Sequence, residues 1–195
     1  MPIATNREYR NIDILQPLEV DENNYIVEGY ATTFDKPYLL FEVDGVKYYE
    51  VINKHAFDNT DMSDVIMQYD HTGKVLARLS NGTLTLTIDD HGLFIRADLS
   101  KSNAAKDLHQ EIRNGLITKM SFAFTIEEDR FNKDTRTREI LKIKKLYDVS
   151  AVSIPANQDT EISARSFIDG VIEKEKQELL KRKKLKLIIE LEGLI

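Results

Sequence analysis

An alternation of apolar and polar residues with a period of two runs from the start of the chain to about residue 155 and constrains the fold most strongly. Short β-branched stretches are separated by turn signals. Asp44-Gly45, for example, separates Leu39–Val43 from Val46–Ile52 as a two-residue hairpin turn would. Such signals recur about every 8–12 residues. The pattern therefore predicts an α+β fold that is mainly β, with a bent antiparallel sheet or a barrel and flanking helices.

One helix is predicted to interrupt the strands. Ser102 is a suitable N-cap, because its hydroxyl can accept a hydrogen bond from a free N–H of the first turn. The apolar residues that follow recur at helical spacing on one face: Ala105, Leu108 and Ile112. Gly115 then supplies a stop, since glycine tolerates the left-handed conformation that ends many helices.

The chain is predicted to divide into a body, residues 1–163, and a tail, residues 164–195. The tail lacks proline and is rich in Glu, Lys, Leu and Ile, which predicts a charged helix with an apolar stripe. Its eight basic and six acidic residues give it a charge of +2, which leaves −8 on the body of a chain whose net charge is −6. Lys181–Lys184 is the one basic cluster of the sequence. We expect the tail either to cover an open edge of the sheet or to recruit a partner.

Composition and motifs disfavour or exclude several classes of protein. A net charge of −6 disfavours a general nucleic-acid binder, which needs a basic face to neutralise phosphates. The absence of cysteine excludes disulfides, thiolate metal sites and a cysteine nucleophile. The sequence has no Gly-rich phosphate loop and no HExxH motif, so no cofactor or metal is predicted. It also has no signal peptide and no run of about 18 apolar residues, so we expect a cytoplasmic location and no membrane partner.

His71 is the candidate general base. The chain has four histidines: His55, His71, His91 and His109. His71 lies where the apolar stretch Val65–Tyr69 meets the predicted loop Thr72–Lys74, so a rigid strand would hold it beside a cleft. The other three fall in a polar loop, in a tight turn and beside the apolar face of the helix, respectively. From position alone, His71 is either a catalytic base or an ordinary histidine at the end of a strand.

Ser121 is the candidate nucleophile. It lies in the predicted strand Leu116–Ile126, on the face opposite the apolar Met120, Phe122 and Phe124. A symmetric hairpin about the predicted loop Glu127–Arg138 would bring Asp148, in the last predicted strand Glu139–Ile154, directly opposite Ser121. A histidine between them would complete a Ser-His-Asp triad. The pattern alone leaves open that Ser121 is an ordinary serine on a solvated face and that Asp148 pairs with a lysine.

Six segments follow one another along the chain in a familiar order: Val27–Ala31 with Phe34, Glu50–Phe57, Asp70-His71, Asp90–Leu93, Gly115 with Met120–Phe124, and Asp148–Asn157. Taken together, they resemble the tailed-phage prohead maturation protease family, which is related to the herpesvirus assemblin-type proteases. The resemblance covers roughly residues 6–163. Any one of them is weak evidence, whereas six in the correct order and spacing are strong evidence.

The resemblance implies a sheet or barrel of herpesvirus-protease type and a serine endopeptidase in residues 1–163, with Ser121 as nucleophile, His71 as base and Asp148 as third member. Asp148 departs from the family, which usually has Glu there, and from the herpesvirus proteases, which have a second histidine. The implied substrates are scaffold, the scaffold-like leader of the major capsid protein, and the protease itself. The implied setting is the immature procapsid in the host cytoplasm, and the implied assembly is a homo-oligomer, a dimer by analogy.

Two alternatives from other classes remain open at this stage. The first is a catalytically silent capsid-assembly or scaffold-binding protein with the same fold, since a fold does not dictate a function. The second is a β-rich binding module whose C-terminal helix recruits a partner. Covalent labelling of Ser121 would separate both from an enzyme.

Overall fold

The structure is a computed structural model that describes residues 7–12, 19–21, 25–43 and 45–153, together with 170, 173, 177 and 180–184 of the tail. The described tail positions are helical, and Lys181–Lys184 is exposed. The predicted boundary between residues 163 and 164 lies outside the described residues. So does the remainder of the predicted tail helix, and both stay predictions.

Residues 7–153, outside the gaps in their description, form eleven strands, one α-helix and two short 3-10 helices. The strands are β1 (Glu8–Ile12), β2 (Glu19–Asp21), β3 (Ile26–Thr33), β4 (Tyr38–Val43), β5 (Val46–Ile52), β6 (Ile66–Tyr69), β7 (Thr72–Arg78), β8 (Leu84–Ile88), β9 (Gly92–Asp98), β10 (Lys119–Asn132) and β11 (Thr137–Val152). The α-helix is α1 (Asn103–Arg113), and the 3-10 helices are Leu79–Asn81 and Leu99–Lys101. The prediction of a mainly β fold is confirmed.

The strands make two sheets. The larger has seven strands in the order β1-β10-β11-β5-β4, with β6 also paired to β11 and β7 paired to β6. The smaller has the order β2-β3-β9-β8. The expectation of a purely antiparallel sheet is wrong for the larger one, because β11 runs parallel to both β5 and β6. Turn signals reveal only strands that are neighbours in sequence, whereas these parallel pairs are joined by long connections.

Helix α1 forms as its sequence predicts. The Ser102 hydroxyl oxygen accepts a hydrogen bond from the Ala105 N–H at 3.2 Å, which satisfies one donor of the first turn. Gly115 has a φ of 72°, a left-handed conformation that costs glycine little, and the helix has ended by then. Leu108 and Ile112 are buried in the main core, so the apolar face of the helix packs onto the sheets.

Strand β10 is buried on both of its faces. Met120, Phe122 and Phe124 are fully buried in the main core, and the rings of the two phenylalanines stack with centroids 4.7 Å apart. Burying each such side chain stabilises the fold by about 1.5–3 kcal/mol. Ser121 alternates with these residues and is therefore on the opposite face, yet it too has 0% exposure. The alternative that Ser121 is an ordinary serine on a solvated face is therefore wrong.

The hairpin of β10 and β11 differs from the predicted one in length and register. The predicted loop Glu127–Arg138 is wrong, since β10 continues to Asn132 and β11 begins at Thr137. Irregularities between Ala123 and Asp129 then shift the pairing, as β-bulges do.

As a result the predicted direct pairing of Ser121 with Asp148 is wrong. Ser121 pairs with Ser150, and Asp148 pairs with Ala123. The displacement amounts to two residues along β11, and side chains alternate with a period of two. Asp148 therefore stays on the same face of the sheet as Ser121.

A cluster of buried charges fixes β1 to the rest of the sheet. Arg10 is 1% exposed and forms ion pairs with Glu50, which is 0% exposed, and with Glu8. Arg138 bonds Glu8 at 2.9 Å, and the hydroxyl of Tyr38 donates to Glu50. We call these five residues, with Asp129 beside Arg138, the buried charge cluster. Such partners compensate the cost of removing ions from water, so β1 is held in one register.

Candidate active site

His71 lies in a tight turn between two strands. Tyr69 at the end of β6 pairs with Thr72 at the start of β7, which leaves Asp70 and His71 as a two-residue hairpin loop. Their φ angles are 48° and 57°, the left-handed pair that a type I′ turn requires. Strand β7 begins at Thr72, so the predicted loop Thr72–Lys74 is wrong. A histidine at positive φ is uncommon and carries a conformational cost, which is typical of functional positions.

The end of β11 holds this turn in place. The Asp70 carboxylate accepts hydrogen bonds from the Ser153 N–H at 2.9 Å and from the Ser153 hydroxyl at 2.8 Å. The Asp70 N–H in turn donates to the carbonyl of Ala151 at 3.0 Å. These three bonds offset the cost of the turn and give His71 a fixed position relative to β11.

The structure brings together all three residues that the sequence singles out. His71 Nε2 lies 2.6 Å from Ser121 Oγ, and His71 Nδ1 lies 2.5 Å from Asp148 Oδ1. A carboxylate can only accept, so the Nδ1–H of His71 donates to Asp148. A neutral imidazole then has its lone pair on Nε2, where it accepts the hydrogen bond of the Ser121 hydroxyl. This is the arrangement in which a histidine can remove a proton from a serine.

The three residues are shielded from water in this structure. Ser121 has 0% and Asp148 1% exposure, and the side chain of His71 is 6% exposed. The ring of Tyr9 stands edge-on to the imidazole with centroids 4.7 Å apart. Electrostatic interactions are stronger in such surroundings than in water, so the hydrogen bonds around His71 are well placed to orient it.

The other three histidines are elsewhere. His55 is exposed, with its Nδ1 3.1 Å from Asp58, and His91 is exposed in a turn against the ring of Tyr30. His109 is 2% exposed and packs on Tyr25. The predictions for His91 and His109, a solvated turn and a packed helix position, are confirmed.

Three contacts of the site were not anticipated from the sequence. The Ser150 hydroxyl donates to Asp148 Oδ1 at 2.7 Å, and the Gln68 N–H donates to Ser150 Oγ at 3.3 Å. Tyr9 is the third. Ser150 could have been found, because a residue two positions after Asp148 in a strand shares its face. No sequence signal places Tyr9 beside His71, because β1 and the turn after β6 are connected only through the intervening strands β10 and β11.

Within residues 7–153, outside the gaps in their description, no three His, Asp or Glu side chains are grouped as a metal site would need. None of the described helical residues belongs to a helix long and apolar enough to cross a membrane.

Comparison with known proteins identifies relatives. The sequence model of a family described as caudovirus prohead serine protease matches residues 13–175. The prohead protease of Enterobacteria phage HK97 is 27% identical over 155 residues, which are 77% of this chain and 64% of that protein. The chain thus spans somewhat less than two thirds of the length of this relative. No solved structure matches the chain significantly.

Proposed function

The chain belongs to the caudovirus prohead serine protease family, and from this premise we propose that it is a serine endopeptidase of phage capsid maturation. The observation that carries the proposal is the continuous hydrogen-bonded line from Ser121 through His71 to Asp148. Its three members come from three different strands or turns, and the family match covers all of them. Ser121 is the nucleophile, His71 the general base and Asp148 the group that orients the histidine.

The reaction would be acyl transfer to Ser121. His71 Nε2 takes the proton from Ser121 Oγ as the oxygen attacks the carbonyl carbon of the scissile peptide. His71 then gives that proton to the leaving amine, and the C–N bond breaks to leave an acyl-serine. A water molecule, deprotonated by His71, hydrolyses the ester and restores the hydroxyl. Asp148 keeps the imidazole in the useful tautomer and stabilises its protonated form.

The proposed substrates are proteins of the immature capsid. The relative named prohead protease favours a role in the prohead, and we propose that this chain cleaves scaffold or the scaffold-like leader of the major capsid protein, and itself. It would act inside the procapsid in the host cytoplasm, as a homo-oligomer. A relation to the fold of the herpesvirus assemblin-type proteases is part of the same proposal.

Coexpression with the neighbouring capsid and scaffold genes tests the activity. The intact mass of each product reveals any cleavage, and the Ser121→Ala variant provides the comparison. Alanine conserves nearly all of the buried volume at this position, so the variant should fold normally and leave every substrate whole. If the alanine variant cleaved the same substrates at the normal rate, Ser121 would not be the nucleophile.

A catalytically silent assembly protein is the second candidate, and one observation favours it. Ser121 has no exposed surface, so a substrate cannot reach it in the conformation described here. A fluorophosphonate probe separates the two candidates, because it labels a serine only where an adjacent base activates it. Labelling that is lost in both Ser121→Ala and His71→Ala supports the protease, and no labelling of the unmodified protein supports the silent role.

The tail is proposed to serve assembly rather than chemistry, since all three site residues precede it. Its exposed basic run Lys181–Lys184 contrasts with the charge of −8 on residues 1–163. A chain ending at Ser163 should still label with the fluorophosphonate probe but be missing from purified procapsids. An insoluble or unfolded truncation would mean instead that the tail is part of the core.

A further inference from the structure

Ser150 is a buried hydroxyl in direct contact with the site that neither the mechanism above nor the family match assigns. It lies directly opposite Ser121 in the pairing of β10 with β11 and has 0% exposure. Its hydroxyl oxygen is 2.7 Å from Asp148 Oδ1, the same oxygen that accepts the hydrogen bond from His71. A buried hydroxyl at this distance from a carboxylate is a strong hydrogen-bonding group, because one of the partners is ionised.

The direction of each hydrogen bond follows from the chemistry of the groups. The Asp148 carboxylate has no proton to give, so the Ser150 hydroxyl donates to it. The Gln68 N–H of β6 donates to the Ser150 oxygen at 3.3 Å, which fixes the hydroxyl from the other side. A main-chain donor on one strand thus directs a side-chain donor on the next toward the carboxylate. Hydrogen bonds in such a chain polarise and strengthen one another.

The carboxylate of Asp148 would turn more freely without Ser150. With only the bond from His71, rotation about the bond to the carboxyl carbon can carry Oδ1 out of the imidazole plane. A second donor on a rigid strand restricts this rotation, since β11 is paired with β10 on one side and with β6 on the other. Catalytic groups need such support to stay within a few tenths of an ångström of the productive geometry.

We propose that Ser150 is a positioning residue that holds the Asp148 carboxylate in the orientation His71 requires. This inference rests on the proposed protease function. The Ser150 hydroxyl bonds Asp148 Oδ1, and its proposed effect on the reacting atoms passes through that carboxylate to His71. The site is therefore a line of four side chains rather than three.

The first test measures the rate constant of fluorophosphonate labelling in Ser150→Ala. We expect a fall of about 10- to 100-fold, the effect of one hydrogen bond to a charged group. Thr32→Val is the matched control, since Thr32 is also a hydroxyl residue with 0% exposure but lies in the smaller sheet. An unchanged rate in Ser150→Ala would overturn the proposal.

A double-variant comparison tests whether Ser150 acts through Asp148. In an Asp148→Asn background, removal of the Ser150 hydroxyl should slow labelling by less than about twofold, because the carboxylate it positions is already gone. A full additional loss in that background would contradict the positioning role. If the alanine variant folds poorly, Ser150→Cys replaces it as the test. Cysteine nearly conserves the side-chain volume but is a weaker hydrogen-bond donor, so its labelling rate should lie between those of the alanine variant and the unmodified protein.

The imidazole N–H proton signal of His71 provides a reading that does not need enzyme activity. The proton between His71 Nδ1 and Asp148 gives a far-downfield resonance, which should shift in Ser150→Ala and stay in place in Thr32→Val. An unmoved resonance in Ser150→Ala would overturn the proposal. If the unmodified protein fails to label at all, the protease function fails, while this resonance still decides whether Ser150 orients the pair.

Discussion

Two buried polar clusters lie on the larger sheet, and β1 touches both of them with consecutive residues. Arg10 points into the buried charge cluster, whereas the ring of Tyr9 lies against His71. The buried charge cluster joins two guanidinium groups to three carboxylates, so each group lies beside a partner of opposite charge. The site joins a single carboxylate to one histidine and two hydroxyls, and a histidine, unlike an arginine, can accept and release a proton during a reaction.

These compositions suit the buried charge cluster to stabilising the fold and the site to chemistry. In the buried charge cluster, burial by itself would lower the pKa of Arg10, but Glu50 and Glu8 outweigh it and raise that pKa well above its ordinary value. Burial and the Glu50 carboxylate likewise raise the pKa of the Tyr38 hydroxyl. Both groups are therefore locked in their usual protonation states. Substitutions should accordingly reduce stability in one cluster and activity in the other, and the following predictions test that separation.

The largest effect is expected for His71→Ala. It should slow catalysis about as much as Ser121→Ala, by about 10⁶-fold, and the double variant should be no slower than either alone. The residues of a triad act as one unit, so their losses do not add. Activity is measured as cleavage of coexpressed capsid substrate, and His91→Ala, which changes an exposed histidine, is the control. An inactive His91→Ala beside an active His71→Ala would mean that the base is misassigned.

Asp148→Asn should lower kcat about 10⁴-fold, less than the loss of the base or the nucleophile. The amide can donate as well as accept, so it no longer selects the tautomer with the proton on His71 Nδ1. Thermal unfolding should change little, because the variant conserves shape. Full activity would assign the third member of the site to another residue.

Arg10→Met should leave the chemistry intact in the folded fraction and destabilise the fold by about 3–5 kcal/mol, because it leaves Glu50 buried without its closest cation. The matched control is Arg78→Met, which breaks the exposed pair with Asp64 and should reduce stability far less, because solvent screens the two charges. Urea unfolding of both variants measures the difference. Equal losses would show that burial does not distinguish the two pairs.

The smallest effect is expected for Glu8→Gln and appears only in acid. Burial would raise the pKa of Glu8, but Arg10 and Arg138 outweigh it and lower that pKa in the folded state. A lowered pKa contributes stability above the unfolded value of about 4.3, and this contribution is lost as the pH falls through the folded pKa. The unfolding free energy of the glutamine variant should therefore fall less steeply below about pH 4. If the unfolding free energy of the variant fell with pH as steeply as that of the unmodified protein, this prediction would be contradicted.

The sequence predicts the local features of this fold and misses the non-local ones. The antiparallel pairing of β4 with β5 and helix α1 with its Ser102 cap both follow from signals within a few residues. The parallel pairing of β11 with β5 and β6 leaves no such signal, and the bulges between Ala123 and Asp129 change the register without a marker in the pattern.

The site residues could be chosen from the sequence, but their geometry could not. Alternation and the family resemblance select Ser121 and Asp148, and the shift by two residues conserves their common face. The contact of both with His71 depends on the β6–β11 pairing, which only the folded chain reveals. Tyr9 and the buried charge cluster depend on the same long-range pairing and were not predicted.

The parallel pairing of β6 with β11 also decides when a newly made chain can complete the candidate site. His71 and Asp148 are 77 positions apart, so the ribosome must pass residue 148 before the two can meet. Closing a loop of this length costs entropy that only the completed sheet offsets, and contacts of this kind form late and slowly. Strand β6 cannot find its partner earlier, because β11 is the last strand among the described residues. A growing or partly folded chain therefore lacks the complete site, and for the proposed protease this would delay any cleavage until the whole sheet has formed.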